Sequence, residues 1–492
     1  MQQKWLLGVI LGISLIIFGI IGVLYNPISK DNLFLNPNTV ETSNLSENQQ
    51  SGPSNNSGNI IRALPIPKLQ EDIDPDPDRS EFNLVAQEGS SNFIDGKTTP
   101  TLGYNGNYLG PVLKVKKGNK VTINVENKLS DDTSVHWHGL EVEGANDGGP
   151  HQVIHPGEIW KPSFPIQQEA ATLWFHPHVI GTTATQVYYG LAGLIIVEDD
   201  NSQSLNLPNE YGVNDIPLII QDRRFGDDGS FVYNDNMMEG AFGDKMMVNG
   251  AITPYLDVDQ RKMRFRILNG ANARNFNLQL SDSSQYYQIG TDGGLLEAPV
   301  TLNTLFLSPG ERAEIVVDFS KYSKGDEIEL RNKNTLIMTF RIGDELVDNT
   351  VIPEVLNEIK WFDESVASTI KTIELDGMGH MVTINGRQFD MHRIDDKVNL
   401  GDVQIWEIST IPGMMMTSNG HPFHIHGTQF QILSRDGEDI PDNEKGWKDT
   451  VFIGGTETVR IIVPFNYKGV FMYHCHILEH EEAGMMGQLE VH

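Results

Sequence analysis

Hydrophobic and polar residues divide the chain into three regimes. Trp5 to Tyr25 is an apolar run without a charged residue, preceded by Lys4, and ~20 such residues suffice to cross a bilayer as a helix. From Asn26 to Ile60 the chain is rich in Asn, Ser, Gly and Glu and poor in aromatics, the composition of a flexible tether. From Ile61 onward, short β-rich runs alternate with Gly, Pro, Asn and Asp, and no long stretch carries a helical period. Val112 to Lys116, Lys120 to Val125, Leu191 to Val197 and Ile315 to Phe319 are such runs. The pattern predicts an all-β chain of sandwich type. Acidic breaks at Asp199 to Pro208 and Gly343 to Glu364 predict three domains, at 61–205, 206–345 and 346–492, behind a hydrophobic helix at 1–25 and a linker at 26–60. A length of 492 residues accommodates three domains of the usual ~150 residues each.

The N-terminal run reads as an export signal. It is long and closes with Gly-Val-Leu-Tyr-Asn-Pro instead of an Ala-x-Ala-like site, which favours an uncleaved membrane anchor over a cleaved signal peptide. Neither a twin arginine nor a following cysteine is present, so the general secretory route is expected and a lipoprotein is not. The folded part is then expected at the cell surface, in a periplasm or outside the cell. A net charge of -30, from 66 acidic and 36 basic residues, argues against nucleic acid and anionic lipid as partners of the folded part and favours cations. The single cysteine, Cys475, excludes an intramolecular disulfide.

That cysteine lies in His474-Cys475-His476-Ile477-Leu478-Glu479-His480-Glu481-Glu482-Ala483-Gly484-Met485. A thiolate, an imidazole five residues on and a thioether ten residues on are the ligands of a mononuclear copper electron-transfer site. If the run into Cys475 is a strand, His474 and His476 point one way and Cys475 the other, so one strand can hold metal on each face. Three more His-x-His pairs occur: His136 with His138, His176 with His178, and His424 with His426. Four pairs supply eight imidazoles, and His421, Cys475, His480 and Met485 form a separate soft set. Of 15 histidines only His151, His155, His380, His392 and His492 fall outside. Zinc is the rival metal, but a Cys, two His and a Met suit copper better, and eight imidazoles exceed a tetrahedral structural site. The middle domain has no histidine or cysteine and is expected to act as a spacer.

With these motifs the chain resembles the three-domain multicopper oxidases, of the laccase and bacterial cuprous-oxidase kind, from about Leu64 to His492. The resemblance implies three cupredoxin-like Greek-key β-sandwiches and four coppers per chain: one type 1, one type 2 and two type 3. It implies His421, Cys475, His480 and Met485 as type 1 ligands, His136 and His424 as type 2 ligands, and His138, His176, His178, His426, His474 and His476 as type 3 ligands. Two acids of the cuprous-oxidase branch match Asp147, in the Gly-Gly-Pro turn, and Glu481, and the resemblance gives them proton transfer. Dioxygen is the implied electron acceptor and a phenol or a metal ion the reductant, with electrons entering through exposed edges of His421 or His480. A non-enzymatic scaffold on the same sandwiches would show eroded ligands, and none is missing. A broad laccase-like activity that extends to cuprous ion is expected, with a dedicated cuprous-ion oxidase for copper detoxification as the alternative. The chain departs from that branch in having only Met378, Met381 and Met391 between Gly343 and Trp406, and Thr417-Ser418-Asn419-Gly420 directly before His421. Met414, Met415 and Met416 remain candidates for a soft-metal substrate site.

Overall fold

The computed structural model describes residues 62–234, 238–410 and 420–492. The expected N-terminal helix and tether, and Met414 to Met416, lie outside the described residues. Within them the chain is built almost entirely of strands, with three short α-helices at Thr183–Tyr189, Asp200–Ser204 and Leu478–Glu482. None of the described helices is long and apolar enough to cross a membrane.

Six sheets enclose three large cores. In the first sandwich a sheet containing Arg79–Ser91 and Lys120–Asn127 packs on one made of Val112–Lys116, Gly193–Glu198 and Ala171–Phe175. Lys120–Asn127 buries every second residue, the signature of a strand with one face in a core, and Val121, Ile123 and Val125 meet Leu113, Leu173 and Ile195 there. The second sandwich sets Asp215–Arg223, Lys262–Asn269 and Arg312–Asp318 against Phe276–Leu280, Glu327–Asn332 and Thr335–Glu345. All nine residues of Asp215–Arg223 are buried, which explains a run of Ile-Pro-Leu-Ile-Ile without alternation. Ile216, Leu218 and Ile220 fill the second core, while Ile219 packs with Trp174, Leu194 and Ile196 of the first sandwich. The third sandwich sets Thr369–Asp376, Val403–Thr410 and Thr458–Pro464 against His421–Ile425, Gly469–Cys475 and Met486–Val491.

Buried ions join the first two sandwiches. Arg266 Nη1 donates to Glu314 Oε1 (2.8 Å) and to Thr172 Oγ1 (3.0 Å), and Arg266 Nη2 donates to Asp215 Oδ2 (2.8 Å). Arg264 pairs with the other oxygen of Glu314, and Thr172 Oγ1 donates to Glu314 Oε1 at 2.6 Å. Burial raises the Glu314 carboxyl, but Arg264 and Arg266 outweigh it and hold the group at about 2, against an ordinary 4.5. Because the folded value is depressed, this stabilisation is complete above about pH 4.5 and is lost as pH falls towards 2. Glu314→Gln leaves two buried guanidiniums short of a carboxylate and is expected to cost about 3–5 kcal/mol at neutral pH. Calorimetry should show its unfolding transition well below wild type at pH 7, with the gap narrowing below pH 4.5.

Candidate metal centre

The register of two strands divides the third sandwich's ligand candidates between two faces. His421–Ile425 runs antiparallel to Gly469–Cys475, with Phe423 opposite Cys475, His424 opposite His474 and Ile425 opposite Tyr473. Since side chains alternate, His421, Phe423 and Cys475 share one face and His424 and His474 the other. Cys475 is fully buried, with Sγ 3.4 Å from His421 Nδ1 and 3.8 Å from His480 Nδ1. His480 arrives on the short helix Leu478–Glu482. Met485 is fully buried and tied to both neighbours, its N–H donating to His480 O (2.9 Å) and its carbonyl accepting from Cys475 N (3.1 Å).

The first sandwich brings its two pairs together by an isolated antiparallel bridge between His136 and His176, whose backbone N–H groups each donate to the other's carbonyl at 2.8 and 3.2 Å. Trp174, two residues before His176, stacks on that ring with centroids 4.1 Å apart. The Asp147 turn folds back beside this segment, its carbonyl accepting from Trp137 N at 3.2 Å. Gly148 has φ of +82°, and a Cβ there would lie 1.7 Å from the carbonyl oxygen of Val135, so only glycine admits this approach to the His136 strand.

Eight imidazoles from the two sandwiches meet in one buried cluster, each at most 2 % exposed. Outward hydrogen bonds dictate most of their tautomers, because a carbonyl or carboxylate can only accept. His136 Nδ1 donates to Asp147 O (3.1 Å), His424 Nδ1 to Asp449 O (2.8 Å), His176 Nδ1 to Pro177 O (2.8 Å) and His474 Nδ1 to Cys475 O (3.0 Å). His426 Nδ1 donates to Asp147 Oδ2 at 2.8 Å, and His138 is turned round, its Nε2 donating to Asp449 Oδ1 at 3.0 Å. The opposite nitrogens keep bare lone pairs that point inward. They converge at 3.4 Å between His136 and His424, 3.4 Å between His138 and His176, and 3.1 Å between His426 and His474. Neither nitrogen of His476 has a hydrogen-bond partner. The nitrogens form the triads His138, His176, His476 and His178, His426, His474, each within 4.8 Å, with His136 and His424 between them.

Burial first, and then neighbouring imidazoles, push His138, His176, His178, His424, His426 and His476 well below the usual histidine range, and His474 to about 3. These rings are neutral, the state that binds metal. Lone pairs aimed at one another repel unless a cation lies among them, so the donor set fits metal ions. Burial likewise lowers His421 to about 3 and pushes the Cys475 thiol up. A thiol, two imidazoles and a buried thioether are the soft and intermediate donors that suit copper.

Both expected acids reach the cluster. Asp147 is 3 % exposed and accepts from His426, with its Oδ1 unpartnered. Glu481 places Oε1 3.4 Å from His178 Nδ1 and Oε2 3.3 Å from His474 Nδ1, and burial, then Glu482 and Glu479, raise its carboxyl well above the ordinary range. One expectation is corrected. Exposed edges were expected on His421 and His480, and both rings are buried, 3 % exposed each, with the Met238 carbonyl 3.4 Å from His480 Nε2. From the second sandwich, Arg312 reaches Asp449 beside the cluster. Asp449, Arg312, Thr450 and Trp174 carry no motif; only Trp174, two positions from His176 in an extended run, had a readable signal. His151 and His155 lie apart, pairing with Gln488 and Asp132.

Models of the multicopper oxidase family match residues 85–202 and 363–492, the segments that carry all of these donors. The multicopper oxidase mco of Staphylococcus epidermidis is 42% identical over 455 residues, covering 92% of this chain and 98% of its own. Among solved structures, a laccase from Pediococcus acidilactici superposes with a TM-score of 0.85 at 39% identity, over 90% of this chain and 95% of that one. A bacterial laccase-like multicopper oxidase from Ochrobactrum, described as active towards lignin model compounds and lignosulfonate, superposes at 0.80 with 39% identity, over 87% and 100% of the two chains. The buried cysteine set, the imidazole cluster and relatedness over nearly the whole described chain lead to one conclusion: this chain belongs to the multicopper oxidase family, copper enzymes that pass electrons from a reducing substrate to dioxygen.

Proposed function

We propose that the chain oxidises phenols, and also cuprous ion, one electron at a time at a type 1 copper held by His421, Cys475, His480 and Met485. His136 and His424 hold the type 2 copper. His138, His176 and His476, with His178, His426 and His474, hold the type 3 pair. When bound, the copper ions accept single electrons on the cysteine side and deliver four of them to dioxygen, which leaves as water. The observation that carries this reading is the alternation at His474-Cys475-His476: the thiol faces one set of donors, and the imidazoles on either side of it face the other. The route between the two is thus a few covalent bonds of one strand.

Protons must accompany the electrons. Asp147 orients His426 through one oxygen and has a second, unpartnered oxygen from which to transfer a proton. Glu481, its carboxyl raised by burial and by Glu482 and Glu479, lies 3.4 Å from His178 Nδ1 and 3.3 Å from His474 Nδ1, a position from which to pass protons into the cluster. The three cores support the division into domains at 61–205, 206–345 and 346–492. The apolar run at 5–25 supports export, with the folded part held at a membrane by an uncleaved anchor and the 26–60 tether. The named activity of the Ochrobactrum enzyme supports an aromatic reductant, and the charge of -30 would gather metal cations, which keeps the dedicated cuprous oxidase as the second reading.

Cys475→Ser should lose the intense blue absorption and all turnover while retaining about three coppers, because the copper-thiolate bond alone gives the colour. A blue, active variant would overturn the assignment. Asp147→Asn should keep the blue colour and slow reoxidation of the pre-reduced enzyme by ~100-fold, the usual worth of a proton-transfer group; an unchanged rate would leave Asp147 as a turn residue. Steady-state rates with a phenol and with cuprous ion, on wild type and on a chain with Met414, Met415 and Met416 changed to Leu, separate the two substrate readings. Comparable phenol rates in both chains are expected. Negligible phenol oxidation without added copper, with selective loss of cuprous-ion oxidation in the variant, would establish the dedicated enzyme.

A further inference from the structure

We propose that Arg312 and Asp449 are a positioning pair through which the histidine-free second sandwich sets the orientation of two cluster imidazoles, His138 and His424, and so retains the copper ions those rings hold, one at the His138 triad and the type 2 ion. The inference rests on the assignment of these two rings as copper ligands. Asp449 touches both: its carboxylate Oδ1 accepts from His138 Nε2 (3.0 Å), and its backbone carbonyl accepts from His424 Nδ1 (2.8 Å). The hydroxyl of Thr450 donates to Asp449 Oδ1 (2.9 Å) and lies 3.2 Å from each of those rings. One short segment of the third sandwich thus fixes a ring of the central pair and a ring of a triad, and the His138 ring comes from the first sandwich.

Arg312 holds Asp449 by a fork, Nη1 donating to Oδ1 (2.7 Å) and Nη2 to Oδ2 (2.5 Å). The guanidinium is itself fixed by the carbonyls of Thr172 (3.1 Å), Gly310 (3.1 Å) and Asp292 (2.9 Å), and the Arg312 N–H donates to Asp292 Oδ1 (2.7 Å). Lys448, next to Asp449, crosses the other way to Asp292 (2.8 Å) and Glu311 (3.1 Å), so the two segments brace each other twice. Arg312 and Asp449 are both at most 1 % exposed. The first sandwich is shaped to admit them: Gly139 has φ of +92°, and a Cβ there would lie 2.6 Å from Asp449 Oδ2 and 2.7 Å from Arg312 Nη2. Stability alone does not account for the pair, since a buried ion pair is often no more stabilising than apolar residues of the same volume. Orientation does, because a bidentate fork fixes a carboxylate in plane and direction, and a carboxylate behind a ligating histidine fixes which nitrogen faces the metal.

The test uses the copper-loaded full chain as wild type, Arg312→Met, Arg312→Lys and Asp449→Asn. Copper per chain, the type 2 signal relative to type 1 in electron paramagnetic resonance, the rate at which a chelator strips cluster copper, and the thermal midpoint of the copper-free chain are measured. In Asp449→Asn and Arg312→Met cluster copper, the ion at the His138 triad and with it the type 2 ion, should be stripped ~10–100-fold faster, the usual effect of removing a partner behind a ligand, while the blue absorption stays at wild-type strength. Arg312→Lys, which keeps the charge without the fork, should fall between. Wild-type retention in Asp449→Asn and in either Arg312 variant overturns the proposal. So does loss of type 1 and type 2 copper in equal proportion with a fall in the copper-free midpoint, which marks a merely structural pair. A wild-type chain that shows no type 2 signal at all fails the ligand assignment itself, and is read without any variant.

Discussion

Side-chain alternation along Gly469–Cys475 is the constraint on which the rest of the site depends. Its neighbours on both sides, His421–Ile425 and Met486–Val491, fix the register, so a slip of one residue would move Cys475 to the imidazole face and bury two histidines against the thiol set. His421 belongs to the cysteine face by the same parity, two residues before Phe423 and three before His424. The strand register is sufficient to part this ring from His424 and His426.

Gathering eight imidazoles in one buried cluster, with lone pairs turned inward, is unfavourable in a metal-free chain. Desolvation and mutual repulsion both act against it, as the depressed basicity of the rings records. Outward acceptors make the arrangement possible: the carbonyls of Asp147, Pro177, Asp449 and Cys475, and the carboxylates of Asp147 and Asp449. Each takes a ring N–H away from the centre and leaves a lone pair facing it. Metal binding then relieves the repulsion, so part of the free energy of copper binding is folding free energy of the two sandwiches that meet there.

The second sandwich enters this balance through charge instead of ligation. Arg266 and Arg264 tie it to the first sandwich through Glu314 and Thr172, and Arg312 ties it to the third through Asp449. Through Asp449, which contacts His138 and His424, it bears on one imidazole from each half of the cluster. A chain segment without one metal donor bears on the donors' geometry.

Residue types and spacing alone determined the fold class and the ligand candidates. A short run such as Val112–Lys116 is a strand with the same ends, and His-x-His pairs share a face because the backbone has a period of two. The sole cysteine between two histidines declared two opposed sets of donors. Asp147 was legible through the family resemblance, as the acid matched in the Gly-Gly-Pro turn. Arg312, Asp292, Lys448 and Asp449 were not, because a buried ion pair between residues 137 positions apart has no local pattern: each looks like an ordinary surface charge in its own stretch of chain. Nor does any spacing say which nitrogen of His138 faces inward. Only the tertiary structure decided these points, since a ring's tautomer and a charge's burial are set by the groups that the other sandwiches bring against them.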